Sequence, residues 1–312
     1  MKRTAFLLLL CLLTACSAPV GFFAPEGQLQ NKDLKDLLTM TGVIHEGTID
    51  SVVTETQKQW IRRGERWDVQ TTAKGWDAET RLQILELAAN LGYIHSSEPM
   101  KKHYPVVLLL GAASVRVKDR LQYLIDSWRF GVRFDRLVML GSTRSLDTPE
   151  ADAALKPKVI TAGFDPDEMG MMRYIYEQLK PSMPKDMQEV PVLWVQAKPG
   201  KGRARANTDD TVLAWLKEAD YQVHPQDVLL AISNYPHTPY QHLVLKGILK
   251  RVLQEKAPIL ETVGPPSGLN KNLHEEKAPT KHAIAVLLDA MARSLYMMKK
   301  TNTMQGAATR DY

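Results

Sequence analysis

The stretch Pro105-Val106-Val107-Leu108-Leu109-Leu110-Gly111 decides the fold. Five consecutive apolar side chains leave no polar alternation, so neither face of this strand is suited to water. A run of about four to eight such residues, closed by glycine, fits a parallel strand covered on both sides. Downstream, residues 117–130 put Leu121, Leu124, Ile125 and Trp128 on one helical face, and Arg136-Leu137-Val138-Met139-Leu140-Gly141 repeats the strand and its glycine. Helix and strand go on alternating: helix over 167–179, strand over 190–196, helix over 207–219, strand over 228–233, helix over 240–254, and a fifth strand at 258–263. The pattern predicts a doubly wound α/β fold, a mostly parallel sheet of four or five strands in a three-layer α/β/α arrangement with right-handed crossovers.

Upstream the periodicity changes. Leu34, Leu37 and Leu38 form a short helical face, Ile49, Val52, Val53 and Trp60 another, and residues 79–91 a third that ends at Gly92 as a C-cap. These predict an N-terminal helical layer over 33–100, ahead of an α/β core over 101–265. The segment 266–312 holds a loop and an apolar helix at 282–300, expected to pack on that core.

The first residues read as an address. Lys2 and Arg3 precede an apolar run from Ala5 to Leu13, nine residues long. A membrane-spanning helix needs about 20, so residues 1–15 are expected to be a secretory signal peptide rather than a span. Leu13-Thr14-Ala15-Cys16 resembles a bacterial lipobox, with small residues ahead of a thiol that accepts lipid. Ordinary signal cleavage with an unmodified cysteine is the alternative. Only Cys11 and Cys16 occur, and cleavage would leave Cys16 alone, so acylation accounts for an otherwise odd exported thiol. Residues 16–32 are then a lipidated cysteine and flexible tether. By resemblance to Gram-negative lipoproteins, Ser17 implies an outer-membrane anchor facing the periplasm.

Of 312 residues, 44% are hydrophobic and 24% charged, which excludes a disordered polymer or a polytopic membrane protein. The net charge of +5 comes without any Lys/Arg tract of five or more, so nucleic acid is not an expected partner. No G-x-S-x-G elbow supports a hydrolase nucleophile. No H-E-x-x-H or Cys/His cluster supports a metal.

In a doubly wound sheet, ligands bind beyond the carboxyl ends of the strands, which selects residues 111–116, 141–146, 197–208 and 233–242. At the first edge, Gly111 leads a turn into a helix start with backbone N–H groups suited to an anion. Arg116 and Arg120, four apart, can share a face there; a tight turn with solvated arginines is the alternative. Ser142 and Arg144 offer similar chemistry at the second edge. Glu168 opens the next helix, either as a catalytic carboxylate or as a favourable charge in a first turn. The third edge places Lys198, Lys201, Arg203 and Arg205 in a loop with two glycines, followed by Asn207, Thr208, Asp209 and Asp210 at a helix start. Converging cations there suit a phosphate or carboxylate; a solvated loop capped by Asn207 or Thr208 is the alternative. At the fourth edge, two prolines flank His237, a general acid/base or anion donor if it is not structural. His242 falls on the following helix and reads as structural.

In their order, these pieces resemble the SanA/YdcF-like family of bacterial envelope domains. The matching segments are VVLLLGA (106–112), Arg116 with Arg120-Leu121, LVMLGS (137–142), Glu168 with Met172, Asn207-Thr208-Asp209-Asp210-Thr211, and AISNYPHTPYQ (231–241). The chain departs from the family pattern at several points. Its glycine doublets are reduced to Gly111-Ala112 and Gly141-Ser142, Asp210 stands for a Glu, Thr211 for an Asn, and Tyr240 or Gln241 near a usual Arg. The resemblance covers about residues 105–249. It implies an α/β fold with a polar pocket at the strand ends and a role in envelope integrity or cell-wall precursor metabolism. The residues themselves point to no cofactor; S-adenosylmethionine or a nucleotide is implied by the resemblance alone.

Two readings are open. In the first, a lipoprotein anchored to the membrane at Cys16 binds or processes a small anionic envelope metabolite. Glu168, Asp210 and His237 are then candidate catalytic groups, and Gly111, Arg116, Arg120, Ser142, Lys201, Arg203, Arg205, Asn207 and Thr208 candidate binding residues. In the second, the eroded motifs mark a non-catalytic scaffold.

Overall fold

The computed structural model describes residues 21–62, 75–147, 152–203, 205–218 and 222–308. The expected signal peptide and Cys16 lie outside the described residues. The chain begins with α1 (Lys32–Met40), α2 (Ile49–Gln59) and α3 (Ala78–Asn90), then runs through β1 (His103–Tyr104), β2 (Val107–Leu110), α4 (Ser114–Arg129), β3 (Arg133–Phe134) and β4 (Leu137–Ser142). Next come α5 (Lys156–Thr161), α6 (Glu168–Leu179), α7 (Lys185–Gln188), β5 (Val192–Ala197), α8 (Thr208–Glu218) and β6 (Val228–Ile232). The last elements are α9 (Thr238–Leu253), β7 (Ile259–Val263), α10 (Asn270–His274) and α11 (Lys281–Ala308).

The main sheet has five parallel strands in the order β5-β4-β2-β6-β7. The short parallel pair β1–β3 lies just ahead of β2 and β4 in the chain. The fold is therefore doubly wound α/β, as the apolar runs predict. β2 sits at the centre because it is buried on both faces. Val107 and Leu109 join the core under α4 and α6, while Val106, Leu108 and Leu110 join the core under α8 and α9. Burying a side chain of this size contributes about 1.5–3 kcal/mol, so a polar residue anywhere in β2 would be costly. The chain winds outward from β2 to β4 and β5, then returns to β6 and β7 on the other side. Strand order thus reverses between β2 and β6, and adjacent loops diverge there to leave a crevice.

A third core lies outside the α/β layers. It joins Leu34, Leu37, Val52, Ile84 and Leu85 of α1–α3 to Ile284, Leu288 and Leu295 of α11. The sequence places the C-terminal helix on the α/β core. In the structure it packs on both sides, against α9 of that core and against α2 and α3. Gln57 donates to the Ala292 carbonyl at 2.8 Å, and Lys299 pairs with Asp50 at 2.7 Å. The helical layer is therefore built from both ends of the described chain. Side-chain caps fix the starts of its helices: Asn31 for α1, Thr48 for α2 and Asp77 for α3 each accept a backbone N–H. Among the described residues no helix is long and apolar enough to cross a membrane.

Candidate functional site at the strand-order reversal

A cleft of about 960 Å³ opens at the carboxyl edge of the sheet. Its floor is set by close packing at Gly111. A Cβ there would lie 2.7 Å from the Leu140 carbonyl oxygen and 3.2 Å from the Glu168 carboxyl carbon, so glycine is what lets α6 bring Glu168 against the end of β2. Ser142 donates its hydroxyl to Glu168 Oε2 at 2.5 Å, and Arg144 Nη2 lies 3.5 Å from Oε1. Burial pushes the Glu168 carboxyl above its usual range, against the opposing pull of Arg144 and of the Ser142 bond.

The same Arg144 reaches Asp152 at 2.9 Å, and Asp152 is fully buried. The other Asp152 oxygen accepts the Ser114 N–H at 2.7 Å. The α4 start carries Ala113 at its N-cap and makes no local side-chain cap. An internal carboxylate from 38 residues downstream therefore caps α4 and takes part of the anion site expected there.

Arg120 is 1% exposed. Its Nε donates to Asn234 Oδ1 at 2.5 Å, and its Nη1 donates to the Leu110 and Gly111 carbonyls at 2.5 and 3.1 Å. It bridges the end of β2 and the turn after β6, across the point where strand order reverses. Burial, followed by the positive field of Arg116, lowers its pKa to about 9.

The third edge divides. Asn207 Oδ1 accepts the Asp210 N–H at 3.0 Å, and Asp210 Oδ2 accepts the Asn207 N–H at 2.9 Å, a reciprocal capping box. Arg203 pairs with the second Asp210 oxygen at 2.5 Å. Lys201, Arg203 and Asp210 do not line the cleft, whereas Arg205, Asn207 and Thr208 do. His237 is half-buried at the cleft, with Tyr240 one turn further along α9. His242 stands apart and bonds to Thr262 at 3.1 Å.

Sequence reasoning missed the roof. Asp289 of α11 is 2% exposed. It binds the Arg293 guanidinium through contacts of 2.9 and 3.2 Å, and it accepts the Arg62 backbone N–H at 3.1 Å. Tyr240 bonds to Arg293, joining α9 to this cluster. His282, at the start of α11, is held below its usual pKa by burial and by the positive charges of Arg62 and Arg116. An Asp and an Arg four apart in the apolar run AIAVLLDAMAR were the available signal. Asp152 offered none.

Among the described residues, eight Arg and Lys side chains and three carboxylates line the cleft. No group of three or more His, Cys, Asp or Glu among them is placed to hold a metal ion. The amino-acid sequence matches no family model and no curated protein.

Proposed function

We propose that this protein is an envelope lipoprotein, anchored at Cys16 and facing the periplasm, whose α/β domain binds a small anionic envelope or cell-wall metabolite. In this reading the chain is a divergent member of the SanA/YdcF-like family. The observation that carries it is the excess of cations in a cleft at the strand-order reversal, where ligands of doubly wound sheets bind. Cations gather in one cleft, with Arg120 buried and Arg144 nearly so among them, and an anion offsets their mutual repulsion. Each charge-assisted hydrogen bond contributes about 1.5–3 kcal/mol. The same charge favours a nucleotide over S-adenosylmethionine, whose sulfonium adds a positive charge. Binding is better supported than turnover. Asp210 is engaged in its own helix cap, and Glu168 is held by Ser142 and Arg144. That engagement also suits the alternative, a non-catalytic scaffold whose helical layer holds partners.

The test is calorimetry on the full-length protein in detergent, with nucleotides, sugar phosphates and muropeptides as ligands. At least one should bind in the micromolar range and lose tenfold or more with Arg205→Ala. Failure of every anion to bind would overturn the reading. Lipidation is tested separately: radiolabelled palmitate should enter the protein and be lost with Cys16→Ala.

A further inference from the structure

The cleft selects among anions, an inference that rests on the anionic-ligand reading. Arg62 comes from the segment after α2, Arg116 from the first turn of α4, and His282 from the first turn of α11. Three separate elements, two from the helical layer and one from the α/β core, thus bring cationic or proton-accepting groups to the cleft lining. We infer that Arg62, Arg116 and His282 form the seat of a phosphoryl group, so that the ligand is a phosphate ester rather than a carboxylate.

Geometry favours phosphate. A carboxylate is planar, carries one charge and is matched by a single guanidinium fork. A phosphate monoester is tetrahedral, carries close to two charges, and presents three oxygens that donors can approach from different directions. The local charges agree. Both charged groups that shift His282 are cations, Arg62 and Arg116, and Arg116 also acts on the buried Arg120, there against Glu168 and Asp119. Size also argues for an ester. Inorganic phosphate would occupy a small part of about 960 Å³, so a larger organic body must enter the cleft behind the head group. Val244, Ile248 and Met297 give that body an apolar wall between α9 and α11.

The experiment compares glucose 1-phosphate with malonate, a carboxylate dianion, and with glucose, by calorimetry on the full-length protein. Glucose 1-phosphate is expected to bind at least tenfold tighter than malonate, with glucose not binding. Arg116→Ala should lower affinity for the phosphate ester tenfold or more at unchanged melting temperature, and Arg116→Lys should restore part of it. If malonate binds as tightly as the ester, or if Arg116→Ala folds normally and binds it unchanged, the phosphoryl seat is wrong while the anionic cleft stands. If neither anion binds, the phosphoryl seat falls, and the anionic cleft falls with it only if the nucleotides and muropeptides also fail to bind.

Discussion

Gly111 and Gly247 look alike in the sequence and behave oppositely in the fold. A methyl at Gly111 would meet the Leu140 carbonyl at 2.7 Å, and backbone must move to admit it. Gly111→Ala is therefore expected to cost about 1–3 kcal/mol, read as a fall in melting temperature. At Gly247, inside α9, the nearest atom is the Met297 methyl at 4.0 Å. Gly247→Ala should be neutral or stabilising by up to about 1 kcal/mol, because alanine favours the helix. Glu168 makes a prediction of a different kind. Burial raises its pKa in the folded state, so its contribution to stability is present at low pH and lost as pH rises through that raised value. Glu168→Gln should gain on the native protein as pH climbs above the ordinary carboxylate range. A denaturation series across pH checks this, and parallel curves would contradict it.

At the scale of the element, α8 and α9 separate groups that the sequence places side by side. Arg203 and Arg205 are two residues apart, yet Arg203 closes on Asp210 and Arg205 lines the cleft. Arg205→Ala should weaken anion binding tenfold or more, while Arg203→Ala leaves it unchanged in the same titration. Asp210→Ala should remove about 1 kcal/mol of stability through the lost cap. The Asn207-x-x-Asp210 spacing was legible as a capping box, but so was its match to a family motif, and only the reciprocal bonds separate the two. His242 of α9 is half-buried and bonded to Thr262, and burial lowers its pKa to about 4. Its neutral form is favoured in the fold, so stability is complete above the unfolded value of about 6.5 and declines as pH falls toward 4, by up to about 3 kcal/mol. His242→Gln should flatten that acid limb in thermal melts. The five strands were legible because burial on both faces leaves continuous apolar runs. The short helices α5, α7 and α10 have too few turns to imprint a period. Asp152 was invisible because it acts on a helix start 38 residues away, through contacts that no local spacing encodes.

For the molecule as a whole, Asp289 is the point where helical layer and α/β core share charge. It engages Arg62 beyond α2 and Arg293 of α11, and Arg293 in turn bonds to Tyr240 of α9. Asp289→Ala would leave two arginines beside each other without their carboxylate. The Arg293 side chain is 43% exposed and water screens part of the loss, so the cost is about 1–3 kcal/mol. Melting of this variant should show the helical layer loosening first, seen as early loss of protection in hydrogen exchange at α1–α3. Exchange rising uniformly over the chain would refute the shared-charge reading. The third core, in which α11 completes α1–α3, has a consequence for how the molecule comes into being. A ribosome delivers α1–α3 long before α11. Throughout that interval Leu34, Leu37, Val52 and Ile84 can pack within α1–α3 but lack Ile284, Leu288 and Leu295, and the layer they belong to closes only when α11 arrives. The order of synthesis thus leaves this layer incomplete until α11 has been made.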